Sequence, residues 1–119
     1  MGKVSSFREL RVWQGGIELV RDIYKICGQF PKEEQFGLFS QIKRAVISVP
    51  SNIAEGFKRN NKNEFHQYLR IAAGSLGEVE TQLIIAKELK YISVTSAEET
   101  SVKIENLYKM LAALYNRTK

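Results

Sequence analysis

The segment Gln41 to Phe57, QIKRAVISVPSNIAEGF, constrains this chain more than any other. It reads as one helix carrying a line of polar groups beside its apolar stripe, with a proline in the middle. At about 100° per residue from Leu38, residues Leu38, Ile42, Ala45, Val49 and Ile53 fall within roughly 80° of one another. Gln41, Arg44, Ser48, Asn52 and Glu55 fill the adjoining sector at spacings of 3, 4, 4 and 3. The opposite face holds Phe36, Ile47 and Ala54. A helix apolar on several sides is buried on several sides, so an oligomer is expected. Pro50 removes one backbone hydrogen bond and crowds the carbonyl of Val46. The expectation is a kink, with Ser48 or Ser51 taking the freed carbonyl; the alternative is a break into two shorter helices.

Periodicity divides the chain into four helices. The first runs from about Phe7 to Gly28. Leu10, Trp13, Ile17, Val20, Tyr24 and Cys27 recur there at 3 and 4 in a heptad-like seam. Val12, Leu19, Ile23 and Ile26 make a second apolar line. Gly15 and Gly16 weaken this helix but allow close approach by another. The second helix begins at Pro31, whose missing N–H suits a first turn. Glu33 and Glu34 there favour the positive end of the dipole. It ends near Phe57, before a basic, asparagine-rich turn spanning Lys58 to Asn63. The third runs to about Leu89, with Phe65, Leu69, Ala72, Leu76, Val79, Leu83 and Ala86 alternating at 4 and 3. Thr95 or Ser96 caps the fourth, with Glu98 and Glu99 in its first turn. Its stripe is Ile104, Leu107 or Tyr108, Leu111, and Leu114 or Tyr115. Short connections between amphipathic helices predict an all-α, antiparallel up-down-up-down bundle, with residues 1–119 forming a single domain.

An antiparallel second and third helix, turning near Asn60, places residues level when their numbers sum to about 120–123. Gln41 then faces Gln82, Arg44 faces Glu78, Ser48 faces Ser75, and Asn52 faces Tyr68. The rungs are polar throughout. Buried polar groups need partners, so Gln41, Arg44, Ser48, Asn52, Glu55, Ser75, Glu78 and Gln82 read as a structural network that sets register. Arg44 and Glu78 are expected as a buried or interfacial pair.

Little in the chain points to chemistry. His66 is the single histidine, and Asp22 the single aspartate. Glu55, Glu78 and Glu80 occur without the Glu-x-x-His spacing of bundle metal sites. Gly74 and Gly77 fall inside the third helix rather than in a phosphate loop. No catalytic residue, cofactor or metal is therefore assigned, and a non-enzyme is expected. One cysteine, Cys27, excludes an internal disulfide and reads as a core thiol. No apolar run approaches the roughly 18 residues of a membrane span. The start MGKVSSFREL lacks a signal-peptide core, so a cytoplasmic location is expected. Its Met-Gly with Ser6 fits a myristoylation pattern only superficially.

The residues FGLFSQIKRAVISVPSNIAEGFKR, FRELRVWQ and FHQYLRIAAGSLGEVETQL closely resemble the small four-helix bundle proteins also known as 23S rRNA-intervening-sequence proteins. The resemblance covers Phe7 to about Tyr91. Its specific part is Ser48 to Gly56; the last helix matches less well. It implies a cyclic homo-oligomer, a pentamer with five bundles around an axis. The accessory protein of diversity-generating retroelements is similar in fold and acts with nucleic acid and a reverse transcriptase. The resemblance thus implies a nucleic-acid role, and supplies no catalytic residues. RNA or DNA, a reverse transcriptase or another protein are the partners it suggests, and a protein-binding scaffold is the alternative.

Charge bears on that choice. The net charge is +5, so five copies would carry +25, which favours phosphate backbones through counterion release. Lys58, Arg59 and Lys62 form the best candidate cluster for nucleic-acid binding. Lys3, Arg8, Arg11, Arg21 and Lys25 form a second basic region. No base-reading motif accompanies either.

Overall fold

The computed structural model describes residues 4–118. Four α-helices and no strand occur among them: α1 Arg11–Ile26, α2 Leu38–Lys58, α3 Lys62–Glu88 and α4 Val94–Arg117. α2 packs against both α1 and α3, and α4 closes on α1 and α3. The body measures 45 × 24 × 19 Å, the shape of helices packed side by side.

The first helix is shorter than its apolar pattern. Phe7–Glu9 form a 3-10 turn, Leu10 is extended, and α1 starts at Arg11. Ser6 caps the turn by accepting from the Arg8 N–H at 3.2 Å. The core side of α1 is Val12, Gly16, Leu19, Ile23 and Ile26. The expected seam lies beside it: Leu10 and Cys27 are buried, Trp13, Ile17 and Val20 half-buried, and Tyr24 exposed. Gly16 decides between the two lines. A Cβ there would stand 3.2 Å from the ring of Pro50, so the glycine lets the proline ring seat against α1. Pro50 itself is fully inside α2, which stays one α-helix rather than two.

Two further starts differ from expectation. A 3-10 turn at Lys32–Glu34 follows Pro31, and α2 begins only at Leu38. Gly37 in the cap position has no side chain to offer. Glu34 does the capping instead, its Oε1 accepting from the Leu38 N–H at 2.9 Å. A Cβ on Gly37 would lie 2.6 Å from that oxygen, so the glycine makes room for the cap. Glu34 Oε2 also accepts from the Tyr91 hydroxyl at 2.7 Å. The Leu38 hydrogen bond, then that from Tyr91, hold its carboxyl below the usual range. The same bond to Glu34 raises Tyr91. α4 is capped by Ser93, which accepts from the Ser96 N–H at 3.0 Å, rather than by Thr95 or Ser96. That shift leaves no acidic residue in the first turn of α4. Lys90, at φ 63°, turns the preceding chain in the left-handed region.

α3 follows its periodicity throughout. Phe65, Leu69, Ala72, Leu76, Val79, Leu83 and Ala86 are all buried, with Ser75 among them. Asn61 caps it by accepting from the Glu64 N–H at 3.0 Å, and Asn60 at φ 51° makes the preceding turn. On α4, Ala97, Thr100, Ile104, Leu107, Leu111 and Leu114 are buried. Tyr108 and Tyr115 flank that line instead of joining it.

Candidate subunit and nucleic-acid interface

The α2–α3 seam keeps the expected register. Ser48 donates its hydroxyl hydrogen to Ser75 Oγ at the middle of the ladder. Gln41, Arg44, Ser48, Glu78 and Gln82 line one trough of about 340 Å³. Register here follows from close approach at the turn end. A Cβ on Gly56 would fall 2.5 Å from Tyr68 Cβ, and Phe57 meets Phe65 edge-on.

Burial and partners differ from expectation within the single chain. Gln41, Arg44, Glu55 and Glu78 are exposed; Ser48, Asn52 and Gln82 are half-buried; Ser75 alone of the set is buried. No ion pair joins Arg44 to Glu78 among the described residues. The buried form of that pair is therefore not made inside one chain, because both residues are exposed. Asn52 donates to the Ser48 carbonyl at 2.7 Å rather than meeting Tyr68. Ser48 is engaged with Ser75 and not with the carbonyl opposite Pro50. Gln82 Oε1 is buried without a hydrogen-bond partner. Leaving such an acceptor unsatisfied costs about 1–3 kcal/mol.

The two helices that form the trough also expose apolar side chains. Ile47 of α2 and Ile71, Ile85 and Leu89 of α3 are each more than two-fifths exposed. Phe36, just before α2, is 89% exposed. The α3 members were legible only as a second line: Ile71, Glu78, Gln82, Ile85 and Leu89 recur at 7, 4, 3 and 4 on the side away from the core. The regular core stripe of the same helix masks this outer one.

The basic turn is more self-contained than its composition. Arg59 Nη2 lies 3.0 Å from Glu55 Oε2 and donates to the Tyr68 hydroxyl at 2.8 Å. Its Nη1 stands 3.7 Å from Glu64 Oε1, and the guanidinium covers the Tyr68 ring at 5.3 Å. The Glu55 bond above all, and then the Tyr68 phenol, raise the Arg59 pKa. Tyr68 also donates to Glu55 at 3.2 Å. Lys58 and Lys62 are exposed on the same turn. Two carboxylates thus offset the central cation of the candidate cluster. In the second basic region Arg8, Arg11, Arg21 and Lys25 are exposed. Arg8 lies over the Phe7 ring at 5.5 Å. Lys3 lies outside the described residues.

The remaining reactive groups have structural settings. His66 Nε2 is 2.7 Å from Thr118 Oγ1, and its ring faces Tyr115 at 4.4 Å. Burial pushes the Cys27 thiol up to about 12, which keeps it protonated and unreactive. Among the described residues no group of three or more His, Cys, Asp or Glu could hold a metal ion. No described helix is long and apolar enough to cross a membrane.

Comparison with known proteins adds two findings. The family model of the 23S rRNA-intervening sequence protein matches residues 8–113. A crystal structure of a protein of unknown function from the S23 ribosomal protein family, from Bacteroides thetaiotaomicron, is similar with a TM-score of 0.78. The two share 23% identity over 87% of this chain and 97% of that one; at this identity the likeness concerns the fold. No curated protein matches significantly.

Proposed function

The chain belongs to the 23S rRNA-intervening sequence protein family, and from that premise we propose that it is a non-enzymatic assembly protein. It is an antiparallel up-down-up-down bundle that closes into a cyclic homo-oligomer, a pentamer by family resemblance, and serves as a nucleic-acid accessory protein. Contacts between neighbouring helices support the antiparallel order. Gly16 meets Pro50 and Tyr24 meets Phe39; Ser48 meets Ser75 and His66 meets Thr118. Lys103 of α4 donates to Asp22 of α1 at 2.9 Å.

The observation that carries the assembly reading is the trough. It combines a buried acceptor lacking a donor with two exposed opposite charges without an ion pair between them, on helices that also expose Ile47, Ile71, Ile85 and Leu89. A second copy would satisfy all three, and contiguous apolar patches are uncommon on monomers. Nucleic-acid binding rests on the +5 charge of each chain and on its repetition around a ring, where multivalency strengthens weak contacts. Binding would be mainly to backbone, weak in sequence preference and steeply dependent on salt.

The neutralisation of Arg59 by Glu55 and Glu64 favours a second reading, a ring that scaffolds a protein partner. A binding assay at low salt separates the two. Retention of RNA or DNA that falls steeply as salt rises supports the accessory role; no retention by the intact oligomer supports the scaffold.

A further inference from the structure

The groove between α3 and α4 differs in character from the trough. It encloses about 270 Å³ between Leu69 and Ala73 on one helix and Leu111 and Ala112 on the other. That is smaller than the roughly 300–1,000 Å³ of a site enclosing a drug-sized ligand, and suits one flat ring. Leu69 and Leu111 are buried beneath it, giving a fixed apolar floor. Tyr108 stands on its edge with more than half its surface exposed. Arg70 and Asn116 form the polar rim. Arg70 is exposed and makes no ion pair among the described residues.

The surrounding charge suits a polyanion. Arg70 lies eight residues after Lys62 on α3, about 12 Å along the helix. Lys58, Lys62 and Arg117 are exposed at that same end of the bundle, which the His66–Thr118 contact ties together. A chain of phosphates leaving the groove past His66 would meet these cations. An apolar floor, an exposed aromatic edge and a cation at the rim are the parts of a single-strand stacking platform, in which every base offers a π face. A duplex has its bases already stacked and paired, and offers the groove none.

We propose that the α3–α4 groove holds one unpaired base of a single-stranded nucleic acid, with Tyr108 against the base and Arg70 toward the adjoining phosphate. This rests on the nucleic-acid reading above and gives it a location other than the Lys58, Arg59 and Lys62 turn.

The test compares a short labelled oligothymidylate with an abasic oligonucleotide of the same length, bound to the intact protein at low salt. Both present phosphates; only one presents bases. The wild-type protein is expected to prefer the oligothymidylate by about tenfold, within the range of one base–aromatic stack. Tyr108→Ala should abolish the preference, and Tyr108→Phe should keep it. Arg70→Gln should weaken both ligands alike and lower the salt slope by about one. Equal binding of the two ligands by the wild type, or a preference that survives in a folded Tyr108→Ala, overturns the groove assignment and leaves the nucleic-acid role standing. Failure of the wild type to bind either ligand overturns the groove assignment, and failure to retain RNA or duplex DNA at low salt as well overturns the nucleic-acid reading with it. Should Tyr108→Ala not fold, the wild-type comparison and Tyr108→Phe still decide.

Discussion

Two stretches of the α2–α3 seam carry similar chemistry and treat it differently. At the turn end, Glu55, Arg59, Glu64 and Tyr68 satisfy one another, and Asn61 caps α3. A few turns along the same helices, Arg44 and Glu78 are exposed without an ion pair, and Gln82 keeps an orphaned acceptor. Both stretches have polar rungs in the same antiparallel register. The turn end is finished within one chain, whereas in the trough only Ser48 finds its rung partner, Ser75. The buried Gln82 acceptor is difficult to explain as a folding device, because it costs desolvation without a return bond, and the exposed Arg44 and Glu78 beside it add no ion pair to the fold. They are explained if a second copy supplies the missing partners.

Close packing at the turn end supplies the largest expected effect. Gly56→Ala would force a Cβ to within 2.5 Å of Tyr68 Cβ, so α2 and α3 must separate. A loss of about 1–3 kcal/mol is expected from such overpacking, read as a lower urea midpoint. An unchanged midpoint would show that the seam yields freely there, and the contrast with the trough would weaken.

Gln82→Leu sharpens the contrast from the other side. Removing the orphaned acceptor should leave the isolated subunit as stable or up to about 1–3 kcal/mol more stable. Association should weaken because the partner's donor loses its acceptor. Denaturant unfolding at high dilution reads the first effect, and mass at higher concentration the second. A destabilised subunit would mean that Gln82 already has a bond within the chain.

Glu78→Leu tests the Arg44–Glu78 rung. Both residues are exposed in the subunit, so subunit stability should move by less than about 0.5 kcal/mol. If the pair forms across copies, Glu78→Leu should weaken assembly strongly, and Arg44→Met added to it should recover part of the loss. Additive losses in that cycle would show the two residues to be uncoupled.

The smallest effect concerns the Glu34–Tyr91 clamp, which lies away from the seam. Glu34 has its pKa lowered by folding. Its contribution is therefore present above the ordinary carboxylate value near 4.5 and is lost as pH falls through the lower folded value. Tyr91 is raised, so its contribution is present below about 10 and lost as pH rises through the folded value. Glu34→Gln should flatten the acid limb of stability against pH, and Tyr91→Phe the alkaline limb. Thermal unfolding across pH checks both. Unaltered limbs would show that the clamp does not govern either.

The sequence made some of this legible for physical reasons. The α3 core line was readable because its 4-3 alternation has no apolar competitor of equal strength. α1 offered two apolar lines, and the choice was made by Gly16 against Pro50, a long-range contact that periodicity does not encode. The Ser48–Ser75 rung was readable because polar residues matched across a turn of known place, whereas Asn52 turned to its own helix instead of Tyr68. The burial of the ladder was not readable, since exposure depends on what covers the seam. The cap of α4 was ambiguous among Ser93, Thr95 and Ser96, three hydroxyls within one turn. Arg59 counted as a cation in the sequence, while its fold neighbours Glu55 and Glu64 offset that charge. The α3–α4 groove left no sequence signal, because Tyr108 sits next to a core leucine and blends with its stripe.

The proposal that the trough is a subunit interface stands or falls on the mass of the intact protein in solution. Light scattering at micromolar concentration is expected to give a multiple of the 13.6 kDa chain. A pentamer would have five times that mass. Charge substitution of Ile85, such as Ile85→Asp, should return it to a folded monomer. A wild-type mass of 13.6 kDa, or a ring that survives Ile85→Asp and Glu78→Leu together, would contradict the account.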